Sequence, residues 1–220
     1  MASQLTYEEI RKRTAYLRGE TSYDTSSTNT IINDHINAAV REILKRYPFS
    51  WNLKKGSSDL TLSSGTANLS ADFNPKWGLK DARIVNSNQN DDSVFTQIPV
   101  EDRDLYDSGD YVYWLTYDTT NKVHVFNSLT QSGSVEHYYN FFHDDMSADE
   151  DVCIIPDGEA VAYLAASKMW VGDERNVGLS QLYEQEANAR VQALIEADAM
   201  FGPVHRQGSV VGHNFRLRRS

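Results

Sequence analysis

Apolar residues recur at two different periods along this chain, and the change of period divides it into three parts. Spacings of three and four residues, typical of amphipathic α-helices, occur up to about residue 47 and again after residue 156. Between Leu53 and Phe142 the apolar residues alternate instead, which is the period of a β-strand. The order helices, strands, helices predicts a mixed α+β fold.

The first part contains signals for two helices. Thr6 and Glu9 match a capping box, so one helix begins there and ends near Arg18, before Gly19. A second helix carries an apolar stripe and ends at Pro48. Its stripe comprises Ile32, Ile36, Ala39, Val40, Ile43 and Tyr47, its cap candidates are Thr28, Asn29 and Thr30, and two large aromatic residues, Phe49 and Trp51, follow it.

The middle part predicts six or seven short strands in a mostly antiparallel sheet or small barrel. Two hairpin turns stand out, one at Ser64-Gly65 and one over residues 118–121. A loop is expected over residues 88–92, a strand over residues 93–100, and a helical turn with a loop over residues 101–111.

Helical spacing returns after Pro156, which suits the start of a helix, with Asp157 and Glu159 in the first turn. This third helix is expected to end near Gly172, and a fourth to run from residue 179 to residue 200, before Gly202-Pro203. Because the strands are flanked by helices on both sides, we expect the helices to pack together as one bundle. The apolar residues are Val161, Leu164, Ala165, Met169 and Trp170 in the third helix, and Leu182, Tyr183, Ala187, Val191, Leu194 and Ile195 in the fourth.

These patterns divide the chain into four segments. Residues 1–52 form the first helical part of the bundle, and residues 143–200 form the second. Residues 53–142 form a β-rich insertion between them, and residues 201–220 form an extended C-terminal arm.

The composition favours a soluble, globular protein. Of 220 residues, 40% are hydrophobic and 24% are charged. No apolar run approaches the ~18 residues that cross a bilayer, and the chain begins without the apolar segment of a secretion signal. The only cysteine, Cys153, lies among apolar neighbours, which predicts a buried, unreactive thiol and excludes an intramolecular disulfide.

The last 21 residues differ from the rest in charge. They carry four arginines and no acidic residue, whereas residues 1–199 carry 17 basic and 31 acidic residues, a net charge of −14. A basic strip with several glycines cannot bury enough apolar surface to fold alone. We interpret it as an arm that orders on a partner's surface, the alternative being a frayed terminus. Apolar residues recur along it, namely Val204, Val210, Val211, Phe215 and Leu217.

Catalytic and metal-binding patterns are weak. The acidic stretch 144–151 offers oxygen ligands for calcium, but the EF-hand order and its central glycine are missing, so a solvated loop is the simpler interpretation. No histidine lies in HExxH or at zinc spacing from the cysteine, and nucleophile-elbow, Walker and dinucleotide motifs are absent. We therefore predict no enzyme activity, no cofactor and no metal site. The residues considered are Asp144, Asp145, Asp149, Glu150 and Asp151, and His35, His124, His137, His143, His205 and His213.

Aromatic residues are concentrated in the strands and leave two interpretations open. They could form a platform on which sugar rings stack, as in the carbohydrate-binding β module of an accessory or receptor-binding protein. The other interpretation is packing, because strands favour aromatic residues for cross-strand contacts. The residues are Tyr111, Tyr113, Trp114, Tyr117, Tyr138, Tyr139, Phe141 and Phe142.

Three sequence features together resemble the head-to-tail connector (adaptor) proteins of tailed bacteriophages. They are the helix INAAVREILKRYPFSW, the strand YYNFF followed by an acidic loop and IIPDGEAVAYLAASKMW, and the closing helix LYEQEANARVQAL with a polar arm. The resemblance covers nearly the whole chain in order. The long middle part and the marked arm are most similar to the adaptors of short-tailed phages, the tail tubular protein A type.

This resemblance implies a structural virion protein in the neck, assembled in the host cytoplasm. It implies a ring, usually of twelve copies, between the capsid portal protein and the next tail or nozzle component, with no membrane contact. DNA would pass through the lumen without specific binding, because acidic walls repel phosphates. The arm would insert into the portal, with Arg206, Phe215, Arg216, Leu217, Arg218 and Arg219 as portal-binding residues.

Overall fold

The structure, a computed structural model, describes residues 4–19, 27–85, 94–170 and 176–201. Within these residues four α-helices and an eight-stranded sheet confirm the predicted mixed α+β class. The helices are α1 (Tyr7–Leu17), α2 (Ser27–Arg46), α3 (Gly158–Trp170) and α4 (Val177–Phe201). The strands are β1 (Leu53–Lys55), β2 (Leu60–Ser63), β3 (Thr66–Asn68), β4 (Leu79–Ile84), β5 (Thr96–Gln97), β6 (Val112–Asp118), β7 (Val123–Ser128) and β8 (Ser132–Asn140).

The start of α1 is the predicted capping box. The Thr6 hydroxyl accepts a hydrogen bond from the Glu9 amide at 3.3 Å, and the Glu9 carboxylate accepts one from the Thr6 amide at 2.8 Å. The helix stops where Gly19 adopts a φ of 78°, which glycine reaches without steric cost. Ile10 and Thr14 are fully buried on its inner face, as their spacing predicted.

Helix α2 begins earlier than predicted. Thr28, Asn29 and Thr30 lie inside the helix, so their assignment as cap residues was wrong, and the helix already includes Ser27. Short polar residues are tolerated in a first turn, where backbone amides have no intrahelical partner. The other end lies at Arg46, two residues before Pro48, because proline disfavours helical geometry in the residue before it.

Helix α3 is the central element of the helical layer. It packs against each of the other three described helices and is apolar around most of its circumference, as expected of a buried helix. Asp157 lies just before it and accepts hydrogen bonds from the Glu159 and Ala160 amides at 3.1 and 3.4 Å. Asp157 thus caps the helix instead of lying in its first turn. The predicted end near Gly172 is outside the described residues.

One hydrophobic cluster joins the helices. Its buried side chains come from α1, α2, α3 and the loop before α3, from Phe49 after the end of α2, and from two residues of α4. The cluster includes Tyr7, Ile10, Ile32, Ile36, Ile43, Leu44, Phe49, Cys153, Ile155, Val161, Leu164, Ala187 and Val191.

The sheet follows the order β1-β8-β2-β3-β7-β6-β5, with β4 also paired to β8. All pairings are antiparallel except β5 with β6, so the prediction of a mostly antiparallel sheet is confirmed. Eight strands are described instead of six or seven, because β1 has only three residues, too few to show alternation. The predicted strand over 93–100 is reduced to Thr96–Gln97, and a 3₁₀ helix, Val100–Leu105, follows it.

Both predicted hairpins are present. Ser64 and Gly65 have φ values of 51° and 77°, the left-handed conformation that a two-residue turn between β2 and β3 requires. Residues 119–122 connect β6 to β7, and the Asp118 carboxylate accepts hydrogen bonds from the Thr120 and Asn121 amides. The loop predicted over 88–92 lies outside the described residues.

The sheet curls until its two sides meet. An isolated bridge pairs Arg83 of β4 with Val94, and the Phe95 amide donates to the Ala82 carbonyl at 2.8 Å. This links the residues before β5 to β4, which is itself paired with β8. The interior is a second hydrophobic cluster, in which Phe126 packs on Tyr113 with ring centroids 4.9 Å apart.

Candidate functional site at the end of the last helix

The predicted portal-binding residues Arg206, Phe215, Arg216, Leu217, Arg218 and Arg219 lie outside the described residues. Helix α4 directly precedes them and ends at Phe201. With 25 residues it is about 37 Å long. The candidate site is therefore the base of the predicted arm, by which we mean α4 and the groups that hold it.

The middle of α4 is held on α3. Ala187 and Val191 are buried against the helical cluster. Arg190 donates hydrogen bonds to Asp157 at 3.2 Å and to Glu186 at 3.0 Å, and its guanidinium lies 5.4 Å from the ring centre of Tyr163. Because Asp157 also caps α3, this arginine joins the start of α3 to the middle of α4.

A second polar group links α4 to the end of α2. Arg46 of α2 donates to the Asn188 side chain and, at 2.6 Å, to Glu42. Lys168 of α3 is also paired with Glu42. Partial burial alone would raise the pKa of the Glu42 carboxyl, but the hydrogen bonds from Lys168 and Arg46 outweigh it and lower the pKa. Glu42 thus lies between two cations, one from α2 and one from α3, and stabilises both at this three-helix contact.

The last turns of α4 are held by Asp198. Its carboxylate accepts hydrogen bonds from the Ser50 amide at 3.1 and 3.2 Å and from the Ser50 hydroxyl. Ser50 is the first residue of the 3₁₀ helix Ser50–Asn52, which connects α2 to β1. A carboxylate near a helix C-terminus opposes the helix dipole, so Asp198 is unfavourable for α4 by itself and is compensated by this contact. The contact holds the last turns of α4, which precede the predicted arm in the sequence.

Removing this contact gives a stability prediction. We expect Asp198→Ala to lower the free energy of unfolding by about 1–2 kcal/mol, because two donors on Ser50 lose their acceptor while the helix dipole is relieved. Urea denaturation would measure the change. Glu196→Ala is the matched control, since this exposed carboxylate on the same helix has a hydrogen bond only from Gln192 among the described residues. Equal effects of the two substitutions would contradict the anchoring role.

Buried asparagines connect the helical part to the sheet. Asn140, at the end of β8, donates to the carbonyls of Phe49 and Asn52 at 2.9 and 3.2 Å. Asn52 donates back to the Phe141 carbonyl at 2.9 Å, and the Asn74 amide donates to the Asn140 carbonyl at 3.0 Å. These bonds satisfy backbone groups where the chain passes from helix to strand, so the base of the arm and the sheet are one connected structure.

The acidic loop before α3 is held by the helices. Asp145 forms an ion pair with Arg41 of α2, and Asp149 forms one with Arg11 of α1. Asp151 accepts hydrogen bonds from the Ser147 and Ala148 amides, which lower the pKa of its carboxyl. Within the described residues no group of three or more histidine, cysteine or acidic side chains is placed to hold a metal ion.

The single thiol and the buried histidine lie in cores. Cys153 is fully buried, and burial raises the pKa of its thiol to about 11, which agrees with the predicted inert cysteine. His137 is 3% exposed and stacks on Tyr139, with ring centroids 5.5 Å apart. Burial lowers the pKa of His137, so its ring stays neutral near pH 7.

The aromatic residues are distributed in a way that favours packing. Tyr113 and Tyr139 are buried in the interior of the sheet, and Tyr111 and Phe141 pack against the same cluster. Tyr117, by contrast, is 52% exposed. Four of the eight aromatic residues are therefore engaged in packing against the interior cluster and do not form an exposed platform.

Sequence reasoning missed Asp198 and the asparagines. One signal for Asp198 was present, because an acidic residue in the last turns of a helix is unfavourable unless a tertiary partner holds it. For Asn140 the signal was a polar residue inside an aromatic strand, YYNFF. Neither signal identifies the partner, since Ser50 is 148 residues away from Asp198.

Comparison with known proteins gives one family over most of the chain. The SU10 adaptor protein family matches residues 5–207, which include all four described helices and all eight described strands. No curated protein matches the chain. Among the described helices, none combines the length and the apolar character needed to cross a membrane. By its match over residues 5–207, this chain belongs to the SU10 adaptor protein family and is a bacteriophage adaptor, a structural protein of the head-to-tail connection.

Proposed function

We propose that this adaptor forms a ring, most simply of twelve copies, which joins the capsid portal protein to the next tail or nozzle component. In this proposal the bundle formed by residues 1–52 and 143–200 builds the ring wall, and the β-rich insertion over 53–142 projects towards the tail. The large insertion supports the tail tubular protein A type among adaptors. The site of action is the neck of the virion, after assembly in the host cytoplasm.

The observation that carries the proposal is the attachment of α4. The helix is fixed at Arg190, Asn188 and Asp198, and the basic residues 202–220 follow its last turn directly. Because the end of α4 is already held in place, it need not be ordered when the residues after it bind a partner, and their binding energy is transmitted to the folded part. The four arginines of the arm match an acidic groove on a portal, where arginine forms bidentate pairs with carboxylates.

Repetition around a ring multiplies a weak contact. Once one arm is seated, neighbouring arms bind at high effective concentration, which raises the overall affinity by about 10²–10⁴ without new contacts. A small interface per copy would thus hold the neck together against the pressure of the packaged DNA.

The charge of the body supports a role as a DNA channel. Residues 1–199 carry a net charge of −14, so twelve copies would carry on the order of a hundred negative charges. A negative lumen repels the phosphate backbone and lets DNA pass without specific binding.

The direct test is negative-stain imaging of the purified full-length chain mixed with portal rings of the same phage. We expect an additional ring with the rotational symmetry of the portal face on one end of each portal particle. Particles that remain undecorated when the chain is in large excess would contradict the proposal.

A further inference from the structure

We propose that the outward face of α4 is the contact with a second copy of this chain, and that it lies against the outward face of α1 in that copy. The proposal rests on the ring proposed above and assigns the surfaces that close it.

The outward face of α4 is a charge-poor stripe. Leu182, Ala189, Ala193 and Met200 follow one another at spacings of seven, four and seven residues, close to whole helical turns, so they lie on one line. All four are exposed, Leu182 by 56% and Met200 by 76%. The line lies opposite the buried residues of α4 and is about 27 Å long. In a soluble monomer such a face normally carries charged residues.

The stripe contrasts with the exposed face of α1. The four residues of the line are uncharged, and within about 40° of it lie two carboxylates, Glu186, which is paired with Arg190 of the same helix, and Glu196. On α1, by comparison, three of the four residues of the exposed stripe are charged, namely Glu9, Lys12 and Arg13, and the fourth is Tyr16. Depletion of charge with exposed large apolar side chains is typical of the centre of a protein–protein interface.

The distribution of charge indicates which surface of a second copy lies against α4. Two identical bodies with a net charge of −14 each repel one another, so their contact is most favourable where carboxylates are few and where the opposing surface is basic. Helix α4 carries four acidic residues and one arginine, whereas α1 carries two acidic and three basic residues. The two helices therefore have opposite net charges.

The outward face of α1 also carries side chains that can contact α4 of another copy. Tyr16 is 74% exposed and can pack on Leu182 or Met200 of another copy. Lys12 and Arg13 have intramolecular partners, Glu8 and Glu159, yet their side chains remain 54% and 60% exposed. They can thus approach a second carboxylate such as Glu196.

The two faces lie on different helices, so the contact is heterologous. A contact between two unlike surfaces of identical chains repeats from copy to copy and closes into a ring when the rotation permits. The small side chains of Ala189 and Ala193 allow the helix of the next copy to approach closely.

Site-directed cross-linking tests this assignment. Cys153 is fully buried, with its pKa raised to about 11, so introduced cysteines would react far faster with a short bismaleimide. The full-length chain with both Tyr16→Cys and Ala193→Cys, seated on portal rings, is expected to give a ladder of dimers, trimers and larger products. Each single variant is expected to stay monomeric, and a mixture of the two single variants should stop at the dimer.

The matched control combines Tyr16→Cys with Ala199→Cys, since Ala199 is exposed on the same helix about 120° away from Ala193. This pair is expected to cross-link at least tenfold less. A strong dimer from Ala193→Cys alone would mean that two α4 faces meet and would overturn the assignment. Equal ladders from the control pair, or no ladder on decorated portals, would also overturn it. Undecorated portals would contradict the proposed function itself.

Discussion

Deletion of residues 202–220 is expected to reduce binding to portal rings by about 10²–10⁴-fold, because the seated arms and their avidity are lost together. Thermal stability should change little, since the described residues of both hydrophobic clusters already bury one another. Binding would be measured by co-sedimentation with portal rings, and stability by thermal denaturation. A large loss of stability would show instead that the arm completes the fold.

A charge-matched control separates the effect of the arm's arginines on portal binding from the effect of the change in net charge. Replacing Arg216, Arg218 and Arg219 with alanine should reproduce most of the loss. Salt should weaken the binding of the unaltered chain more than the residual binding of this variant, because the arginine–carboxylate pairs that salt screens are missing from the variant. The control replaces three exposed basic residues of the β-rich insertion, Lys55, Arg83 and Arg103, and changes the net charge equally. Equal losses in both triple variants would contradict a specific arm.

Replacing Phe49 with alanine is expected to lower the free energy of unfolding by about 3–5 kcal/mol, the largest effect of a single substitution that we predict. Phe49 is fully buried where α2 ends, stacks on Trp51 with ring centroids 4.6 Å apart, and meets the edge of Tyr47 at 5.1 Å. Its loss leaves a cavity between the helices and the start of the sheet. Urea denaturation would measure the change, and the melting temperature should fall by roughly 10 °C.

The control for Phe49→Ala is Tyr117→Ala, whose effect on the free energy of unfolding is expected to be much smaller. This ring lies on β6 and is 52% exposed, so truncation should cost about 1 kcal/mol or less. If Phe49→Ala cost no more than Tyr117→Ala, the helix end would not be the packing centre that joins the two parts.

Much of the local structure could be predicted from the residues. The capping box at Thr6 and Glu9, the stripe of α2 and the turn at Ser64-Gly65 each depend on neighbouring residues, so their physical causes are contained within a few positions. The errors occurred where local signals were weak or ambiguous. Thr28, Asn29 and Thr30 suit either a cap or a first turn, and β1 is too short for a pattern.

The candidate site was only partly predictable. The change of charge at residue 200 indicated an arm, and the order of motifs indicated an adaptor, which the family match confirms. The role of the arm residues from Arg206 to Arg219 stays a prediction. The groups that hold its base, Asp198 with Ser50 and Arg190 with Asp157, were not foreseen, because a pairing between distant residues leaves no periodic pattern.

The sequence by itself determined the α+β class, most helix positions, both hairpins and the separation of an acidic body from a basic arm, because period, turn chemistry and charge are properties of neighbouring residues. Only the tertiary structure decided that α3 lies at the centre of the helices, that the sheet curls until Arg83 meets Val94, and that α4 leaves a charge-poor face exposed. These features depend on which distant surfaces bury one another, and that balance is set by the packing of the whole chain.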